Sequence, residues 1–253
     1  MSGAFDGLAA LVTGASSGIG RATALALADA GASVVAVARR AERLDGVVAE
    51  VEAAGGSAVA AVADVSDEDA AATAATRAVE MFGGLDVVVA NAGAMLLGPV
   101  DGANSALWRR MIEANVYGAL YTARSAVPHL IRAAAGPRGV GDLVLVSSTA
   151  GRVSREGSAV YALTKHGLNA FGESLRQELA PRQVRVTLVE PGSVTTELLD
   201  HNDAATRERS LARVTDVERL APSDIADAIV FATTRPPQVS VNEILVRPTG
   251  QVN

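Results

Sequence analysis

Seven short apolar runs recur along the chain, and amphipathic segments separate them. The runs cover residues 8–14, 33–38, 57–63, 85–90, 141–147, 184–190 and 242–247. Both faces of each run are apolar, as in parallel strands that helices cover on both sides. The segments with helical spacing are 19–30, 41–53, 67–82, 104–134, 158–179 and 223–233. This alternation predicts one α/β domain over residues 1–253, a doubly wound parallel sheet of seven strands with helices on both faces.

Charge and residue content exclude several kinds of site. The net charge of −6 and the isoelectric point near 5.1 argue against a nucleic-acid partner, which would require a basic patch. The sequence has no cysteine, which excludes disulfides and thiolate metal sites. The histidines at positions 129, 166 and 201 do not have the spacing of zinc ligands. We therefore expect no metal site.

The sequence also contains no candidate for membrane insertion. The first ten residues, MSGAFDGLAA, have neither a basic segment nor a long apolar run, so they do not resemble a signal peptide. The longest apolar region, residues 22–38, is interrupted by Asp29 and Gly31. It falls short of the roughly 18 uninterrupted apolar residues of a spanning helix. We expect a cytoplasmic protein without a membrane partner.

A glycine-rich turn, TGASSGIG at residues 13–20, follows the first predicted strand and opens a helix. Gly14, Gly18 and Gly20 allow a tight turn and let the backbone approach a pyrophosphate, whose charge faces the helix N-terminus. A tight turn without a ligand has the same composition, so the turn alone is weak evidence. Its place between the first strand and an alanine-rich helix favours dinucleotide binding.

Two arginines end the second predicted strand, in VARRAERL. In folds that bind NAD, an acidic residue at about this place accepts hydrogen bonds from the ribose hydroxyls. Arg39 and Arg40 suit the 2′-phosphate of NADP instead, because a guanidinium binds phosphate bidentately. The alternative is that they face solvent or cap the next helix, although basic residues are poorly placed at a helix N-terminus. The sequence therefore favours NADP as the cofactor.

Lys165 is the only lysine among the 22 basic residues, and it follows Tyr161 by four positions. Residues four apart on a helix project from one face. A free tyrosine has a pKa near 10, and a nearby ammonium group stabilises the phenolate. We expect Lys165 to lower the pKa of Tyr161 so that the phenol exchanges protons near neutral pH.

Several motifs together resemble the short-chain dehydrogenase/reductase family over essentially the whole chain. They are TGASSGIG (13–20), DV (64–65), NAG (91–93), Asn115, SS (147–148), YALTK (161–165) and PG (191–192). The resemblance implies a Rossmann-like fold and an oxidoreductase that uses NADP. The segments ARRAERL, NAGAMLLGPV, AGRV and VNEILVRPTGQ are most similar to clavulanic-acid and 3-hydroxy-acid dehydrogenases of this family. Ala90 departs from the family's Asn-Asn-Ala-Gly, which we interpret as a loss of local hydrogen bonding.

The resemblance implies four catalytic residues. Tyr161 exchanges a proton with the substrate oxygen, and Ser148, rather than Ser147, donates a hydrogen bond to that oxygen. Lys165 also binds the nicotinamide ribose. Asn115 positions a water molecule between Lys165 and solvent.

The resemblance also implies a set of cofactor-binding residues. Within it, residues 64–65 contact the adenine, residues 91–93 line the adenosine ribose, and residues from the segment 191–196 hold the nicotinamide carboxamide. The set comprises Gly14, Ser16, Ser17, Gly18, Ile19, Gly20, Arg39, Arg40, Asp64, Val65, Asn91, Ala92, Gly93, Tyr161, Lys165, Pro191, Gly192, Val194 and Thr196. Asp64 has a second interpretation as a helix N-cap, for which Ser66 is the better candidate. Met95, Leu96 and Leu97 either line a substrate pocket or belong to the core.

Three functions remain open. The first is interconversion of a small alcohol and its ketone or aldehyde by hydride transfer, with Tyr161 as acid or base. The second is reduction of acyl chains on a carrier protein, which calls for a basic patch near the entrance. The third is a regulator that binds NADP without turnover. The presence of the four catalytic residues argues against this function, because such a regulator does not need them.

The segment around residues 195–220 is polar and charged, and the resemblance places a substrate lid there. Arg207, Arg209 and Arg213 contact an acidic substrate or, as their acidic neighbours favour, form a solvated helix face. The resemblance also implies a homotetramer, or a dimer, that the long helices at 104–134 and 158–179 help to build.

Overall fold

The sheet is seven-stranded and entirely parallel in the computed structural model, which describes residues 3–212 and 217–252. The strands are β1 (Ala9–Thr13), β2 (Ser33–Ala38), β3 (Ser57–Val62), β4 (Val87–Ala90), β5 (Gly141–Val146), β6 (Val184–Pro191) and β7 (Glu243–Val246). Their order is β3-β2-β1-β4-β5-β6-β7. All seven predicted strands and the predicted fold class are confirmed.

The described part of the chain has eight α-helices, six of which pack against the sheet. They are α1 (Gly18–Asp29), α2 (Ala41–Ala53), α3 (Glu68–Phe82), α4 (Ser105–Ile112), α5 (Gly118–Ala134), α6 (Ala159–Leu179), α7 (Ala204–Ala212) and α8 (Pro222–Thr233). One core cluster joins α1, α2 and α8 to the sheet, and a second joins α3, α5 and α6 to its other face. The central strands are buried on both faces, which explains their apolar sequences.

The order of the strands creates the site. β1 pairs with β2 on one side and with β4 on the other, so the connections leave β1 and β4 in opposite directions. A crevice forms at such a reversal, outside the carboxyl ends of the strands. The glycine turn after β1 and the loop after β4 meet there.

The helix predicted over 104–134 is confirmed as helical backbone from Ser105 to Ala134, with one irregular turn inside it. A π-helical turn, Glu113–Tyr117, separates α4 from α5. Within this turn the Asn115 side chain is buried and hydrogen-bonds the backbone of Ala94. Apolar periodicity does not encode such a tertiary hydrogen bond, so the sequence pattern runs through the interruption. π-helical turns are frequent at functional sites.

The predicted cap of α3 is displaced by one residue. Asp67, not Ser66, caps this helix, with its carboxylate accepting a hydrogen bond from the Ala70 amide at 2.9 Å. Ser66 instead donates its backbone N–H and its hydroxyl to Asp64, at 3.0 and 2.7 Å. Acidic and hydroxyl side chains cap helices about equally well, so composition could not separate the two candidates.

Buried charges tie the last helix to the sheet. Asp142 on β5 accepts two hydrogen bonds from Arg185 on β6, at 2.7 and 2.9 Å, and a third from Arg138. Both arginines also donate to the Thr233 carbonyl at the end of α8. The loop that leads into β5 is therefore anchored through Arg138.

No helix in the described ranges has both the length and the apolarity needed to cross a bilayer. Within the same ranges, no three His, Cys, Asp or Glu residues form a group that could hold a metal ion.

Candidate active site

A cavity of about 490 Å³ opens at the carboxyl ends of the central strands. It is lined by eighteen of the predicted cofactor-binding residues and by three of the predicted catalytic ones. The lining residues of these sets are Gly14, Ser16, Ser17, Gly18, Ile19, Arg39, Arg40, Asp64, Val65, Asn91, Ala92, Gly93, Ser148, Tyr161, Lys165, Pro191, Gly192, Val194 and Thr196. Gly20 and Asn115 do not line it.

The glycine turn forms one wall of the cavity. Gly14 has a φ of 69°, in the left-handed region that favours glycine. Gly20 is needed for close packing, because a Cβ there would lie 2.4 Å from the Gly14 carbonyl oxygen. No side chain caps the N-terminus of α1 at Ser17. The amides of the first turn thus have the environment of an anion site.

The loop after β4 is attached to β1 through Thr13, a residue that sequence reasoning missed. The Thr13 hydroxyl accepts hydrogen bonds from the backbone amides of Asn91 and Ala92, both at 3.0 Å. The Asn91 side chain in turn donates to the Thr13 carbonyl at 2.9 Å. Ala90 is buried in the core cluster on the α3 face. These bonds attach the loop to β1 without a second asparagine at position 90.

Arg40 lies at the rim of the cavity, beside the glycine turn. Its guanidinium donates to the Ser16 hydroxyl at 2.9 and 3.2 Å and to the Ser17 hydroxyl at 2.8 Å. It makes no capping bond to α2. Arg39 is more exposed, and its Nη1 lies 3.4 Å from Asp64 Oδ2. Positive charge and two hydroxyl groups are thus grouped at the end of β2.

Asp64 is held by its own turn. Burial raises its pKa, but the two hydrogen bonds from Ser66 and the charge of Arg39 outweigh that effect, so the pKa lies below its ordinary value. The carboxylate is therefore ionised at neutral pH. Val65 beside it is buried and lines the cavity.

Tyr161 and Lys165 lie on one face of α6, and both are more than 90% buried. The Lys165 ammonium donates to the Val146 carbonyl at 2.9 Å and lies 5.9 Å from the centroid of the Tyr161 ring. Burial lowers the pKa of Lys165 to about 8.

Burial also raises the pKa of the Tyr161 phenol, and hydrogen bonding with Ser148 offsets this only in part. The expectation that Lys165 lowers this pKa is therefore wrong for the protein without cofactor. Desolvation outweighs the lysine, whose ammonium is directed at a backbone carbonyl.

Ser148 lies just beyond β5, at the start of a 3₁₀ turn over Thr149–Gly151. Its hydroxyl oxygen accepts a hydrogen bond from the Ala150 amide at 3.1 Å. This bond uses a lone pair and leaves the hydroxyl proton free to donate. The proton can be shared with Tyr161 or with a substrate oxygen.

Asn115 connects the site to its scaffold from outside the cavity. Its amide oxygen accepts from the Ala94 amide at 2.7 Å. Its amide nitrogen donates to the Ala94 carbonyl at 2.9 Å and to the Thr164 hydroxyl at 3.1 Å. The side chain therefore joins the loop after β4 to the helix that carries Tyr161.

A buried carboxylate supports the turn that carries Ser148, and sequence reasoning missed it. Glu190 on β6 has no exposed surface and accepts from Arg152 at 2.7 to 3.0 Å. Asn169 on α6 donates to Glu190 at 2.6 Å and to the Gly151 carbonyl at 3.2 Å. The sequence did contain a signal for this buried carboxylate, because Glu190 is a charged residue at the end of the apolar run 184–190.

The remaining wall is partly apolar and partly polar. Met95 and Leu97 line the cavity, whereas Leu96 is buried between them in the adjoining core. The pocket interpretation therefore holds for Met95 and Leu97, and the core interpretation holds for Leu96. The wall also includes residues without a sequence motif, namely Arg110, Arg155, His201 and Gln251. Gln251 accepts a hydrogen bond from the Ser193 amide at 2.8 Å.

Two of the three arginines considered for substrate binding in the segment after β6 lie outside the cavity. Arg207 faces Asp200 at 3.5 Å, and Arg209 donates to the Thr206 hydroxyl at 3.0 Å. Neither lines the cavity. Arg213 lies outside the described residues.

Comparison with known proteins agrees with this geometry. The family model described as short chain dehydrogenase matches residues 8–207. The uncharacterized oxidoreductase Lmo0432 of Listeria monocytogenes is 34% identical over 243 residues, which are 95% of this chain and 96% of that protein. The glycine betaine reductase ATRR of Emericella nidulans is 36% identical over 249 residues, 98% of this chain, but the chain spans only 19% of that protein's length.

A solved structure shows the same relationship. A metagenomic short-chain oxidoreductase, crystallised in complex with NADP, is 35% identical and superposes with a TM-score of 0.81. The match covers 98% of this chain and all of that one. The chain therefore belongs to the short-chain dehydrogenase/reductase family of oxidoreductases.

Proposed function

We propose that this protein interconverts an alcohol and its ketone or aldehyde, with NADP(H) as cofactor and Tyr161 as the acid or base. The observation that carries this proposal is the convergence on one cavity of Tyr161, Ser148 and Lys165 at one end and Arg40 with two serine hydroxyls at the other. Membership of the family, and the NADP complex of a 35% identical relative, support it.

The residues present fit NADP. The turn at Gly14 and Gly20 is too tight for side chains and borders an uncapped helix N-terminus, which suits a pyrophosphate. Arg40 beside Ser16 and Ser17 offers a 2′-phosphate both charge and hydrogen bonds. Asp64 and the loop at 91–93 would hold the adenosine, and the segment from Pro191 to Thr196 would hold the carboxamide.

When bound, the cofactor supplies or accepts the hydride, and the protein manages the proton and the charge on oxygen. In the reducing direction, Tyr161 donates its proton to the carbonyl oxygen as the carbonyl carbon gains hydride. The raised pKa keeps the phenol protonated at neutral pH, as this direction requires. The Ser148 hydroxyl donates to the same oxygen and stabilises its developing charge.

In the oxidising direction, Tyr161 accepts the proton of the alcohol. The Ser148 hydroxyl then stabilises the phenolate by a hydrogen bond, and the Lys165 ammonium lies 5.9 Å from the centroid of the ring. Lys165 uses one donor on the Val146 carbonyl, and its other two are available for ribose hydroxyls. Asn115 holds the loop after β4 in place against the helix that carries Tyr161 through hydrogen bonds to both.

The test is an initial-rate screen of aldehydes, ketones and 3-hydroxy acids, with NADPH/NADP and NADH/NAD in parallel. We expect turnover that prefers the phosphorylated cofactor. Equal rates with both cofactors would contradict the role of Arg40. NADPH binding without consumption across the panel would favour a regulator.

The decisive variant is Tyr161→Phe, which removes only the hydroxyl. General acid–base catalysis contributes roughly 10²- to 10⁴-fold, so we expect kcat to fall by about that factor with NADPH affinity nearly unchanged. Tyr121→Phe makes the same change on α5, away from the cavity, and should retain wild-type kcat. Normal turnover in Tyr161→Phe would refute the assignment.

A further inference from the structure

Glu197 places a carboxylate among the arginines at the cavity rim. It is the first residue of a 3₁₀ turn, Glu197–His201, that follows β6. Its Oε2 lies 3.1 Å from Arg40 Nη1, and its Oε1 lies 2.5 Å from Arg43 Nη1. Hydrogen bonds from Arg43 and then Arg40 lower the pKa of Glu197. The group is therefore a carboxylate anion at neutral pH, and it lines the cavity.

The guanidinium of Arg40 is divided between two kinds of partner. Its Nε and Nη2 atoms bond the hydroxyls of Ser16 and Ser17, whereas its Nη1 faces Glu197. A phosphate monoester placed beside the serines would seek the same charged donors as Glu197 does. Other arginines lie near this turn as well, since burial and then the charges of Arg110, Arg40 and Arg39 lower the pKa of His201, against the opposing charge of Asp200.

The chain segment around Glu197 is fixed at both of its ends. The Thr196 methyl group would lie 3.1 Å from a Cβ added at Gly18, so it packs against the start of α1. At the other end, Asn202 accepts from the Leu97 amide at 2.7 Å and donates to the Met95 carbonyl at 2.8 Å. The backbone that carries Glu197 is thus attached to the rest of the fold on both sides, next to the arginines.

We propose that Glu197 is a specificity-determining residue whose carboxylate competes with the cofactor 2′-phosphate for Arg40 and Arg43. The inference rests on the proposed use of NADP. A 2′-phosphate takes over the guanidinium donors and repels the carboxylate, which leaves its arginines. A nucleotide without this phosphate leaves the pairs intact. Glu197 therefore weakens binding of 2′-phosphorylated nucleotides below what the arginines alone would allow.

The test measures equilibrium binding by calorimetry, with adenosine 2′,5′-bisphosphate and 5′-AMP as the probes. In Glu197→Gln we expect about fivefold tighter binding of the bisphosphate, the size expected when one exposed charge pair is removed. Binding of 5′-AMP should stay within about twofold of wild type, since that probe does not reach the arginines. Glu208→Gln removes the same charge from α7, away from the cavity, and should bind both probes as wild type does.

A second variant tests the arginine. Arg43→Gln should weaken bisphosphate binding and leave 5′-AMP binding unchanged. In the double variant with Glu197→Gln, the gain from the glutamine should shrink, because one of the two contested guanidiniums is gone. Both changes are at partly exposed side chains, and the thermal unfolding midpoint shows whether the fold is kept.

The outcomes separate the inference from the function beneath it. A wild-type protein that binds the two probes equally would overturn the proposed preference for NADP, and the inference with it. A wild-type protein that prefers the bisphosphate, with Glu197→Gln unchanged or weaker, would overturn the inference alone. Equal gains in Glu197→Gln and Glu208→Gln would show a general effect of net charge and would also overturn it.

Discussion

At the residue scale, burial shifts Tyr161 and Lys165 toward their neutral forms. The pKa of the phenol rises and that of the ammonium falls, because a poorly solvated charge is costly in both cases. A lysine with a pKa of about 8 can hold or release a proton near working pH. An arginine could not, since its guanidinium stays charged. This explains why the only lysine of an arginine-rich chain lies at position 165.

The shifted pKa of Lys165 has a consequence for stability. Its folded-state pKa of about 8 lies below the ordinary 10.5, so between these values the unfolded chain binds more protons. Stability contributed by Lys165 must therefore rise with pH, by up to about 2 kcal/mol between pH 8 and pH 10. Above pH 10 the raised pKa of Tyr161 acts in the opposite sense.

Urea unfolding at pH 8 and pH 9.5 measures this dependence. Lys165→Met removes the charge but keeps a side chain of similar length. We expect this variant to lose most of the increase in unfolding free energy that the wild type shows between these two pH values. The same slope in both proteins would show that Lys165 titrates normally when folded.

At the element scale, buried ionic groups join strands and helices that apolar packing alone does not align. Asp142 and Arg185 connect β5 to β6 and to the end of α8, and Glu190 connects β6 to the turn that carries Ser148. Removal of the Asp142 carboxylate would leave the buried guanidinium of Arg185 without this counter-charge. The elements around the cavity therefore depend on a few charged residues.

Asp142→Ala tests this dependence. The side chains of Asp142 and Arg185 are 2% and 5% exposed, so we expect a loss of about 3–5 kcal/mol in the free energy of unfolding. Glu173→Ala breaks an exposed pair with Arg176 on α6, and that change should leave the free energy of unfolding nearly unchanged. Urea unfolding of both variants at one pH gives the comparison, and similar small losses would contradict the role of Asp142.

At the scale of the whole molecule, exposed apolar residues support the expected assembly into a tetramer or dimer. Leu163 on α6 is 62% exposed, and Leu107 on α4 and Tyr117 between α4 and α5 are exposed as well. Both predicted interface helices thus present apolar groups to solvent. We expect these exposed apolar side chains to lie in the interface between subunits.

Leu163→Arg should disrupt this assembly, because it replaces a largely exposed apolar side chain of α6 with a charged one. We expect light scattering after gel filtration to show an oligomer for the wild type and smaller species for the variant. Val62→Arg, at a residue 60% exposed on the edge strand β3, should keep the wild-type mass. An oligomer unaffected by Leu163→Arg would place the interface elsewhere.

Local patterns predicted much of the fold and most of the candidate residues that line the cavity. The apolar runs predicted all seven strands, since burial on both faces of a parallel sheet requires such sequences. The glycine turn, the arginines after β2 and the Tyr161–Lys165 pair each carry their chemistry within a few neighbouring residues. Those signals do not depend on distant parts of the chain.

The tertiary structure alone decided what depends on distant partners. The sequence predicts a lowered pKa for Tyr161, but burial by the surrounding elements raises it. The π-helical turn at Asn115, the buried Glu190 and the pairing of Glu197 with Arg40 all join segments that are far apart in sequence. Solvation and long-range hydrogen bonds arise from how the elements pack together, and no local pattern of residues records that packing.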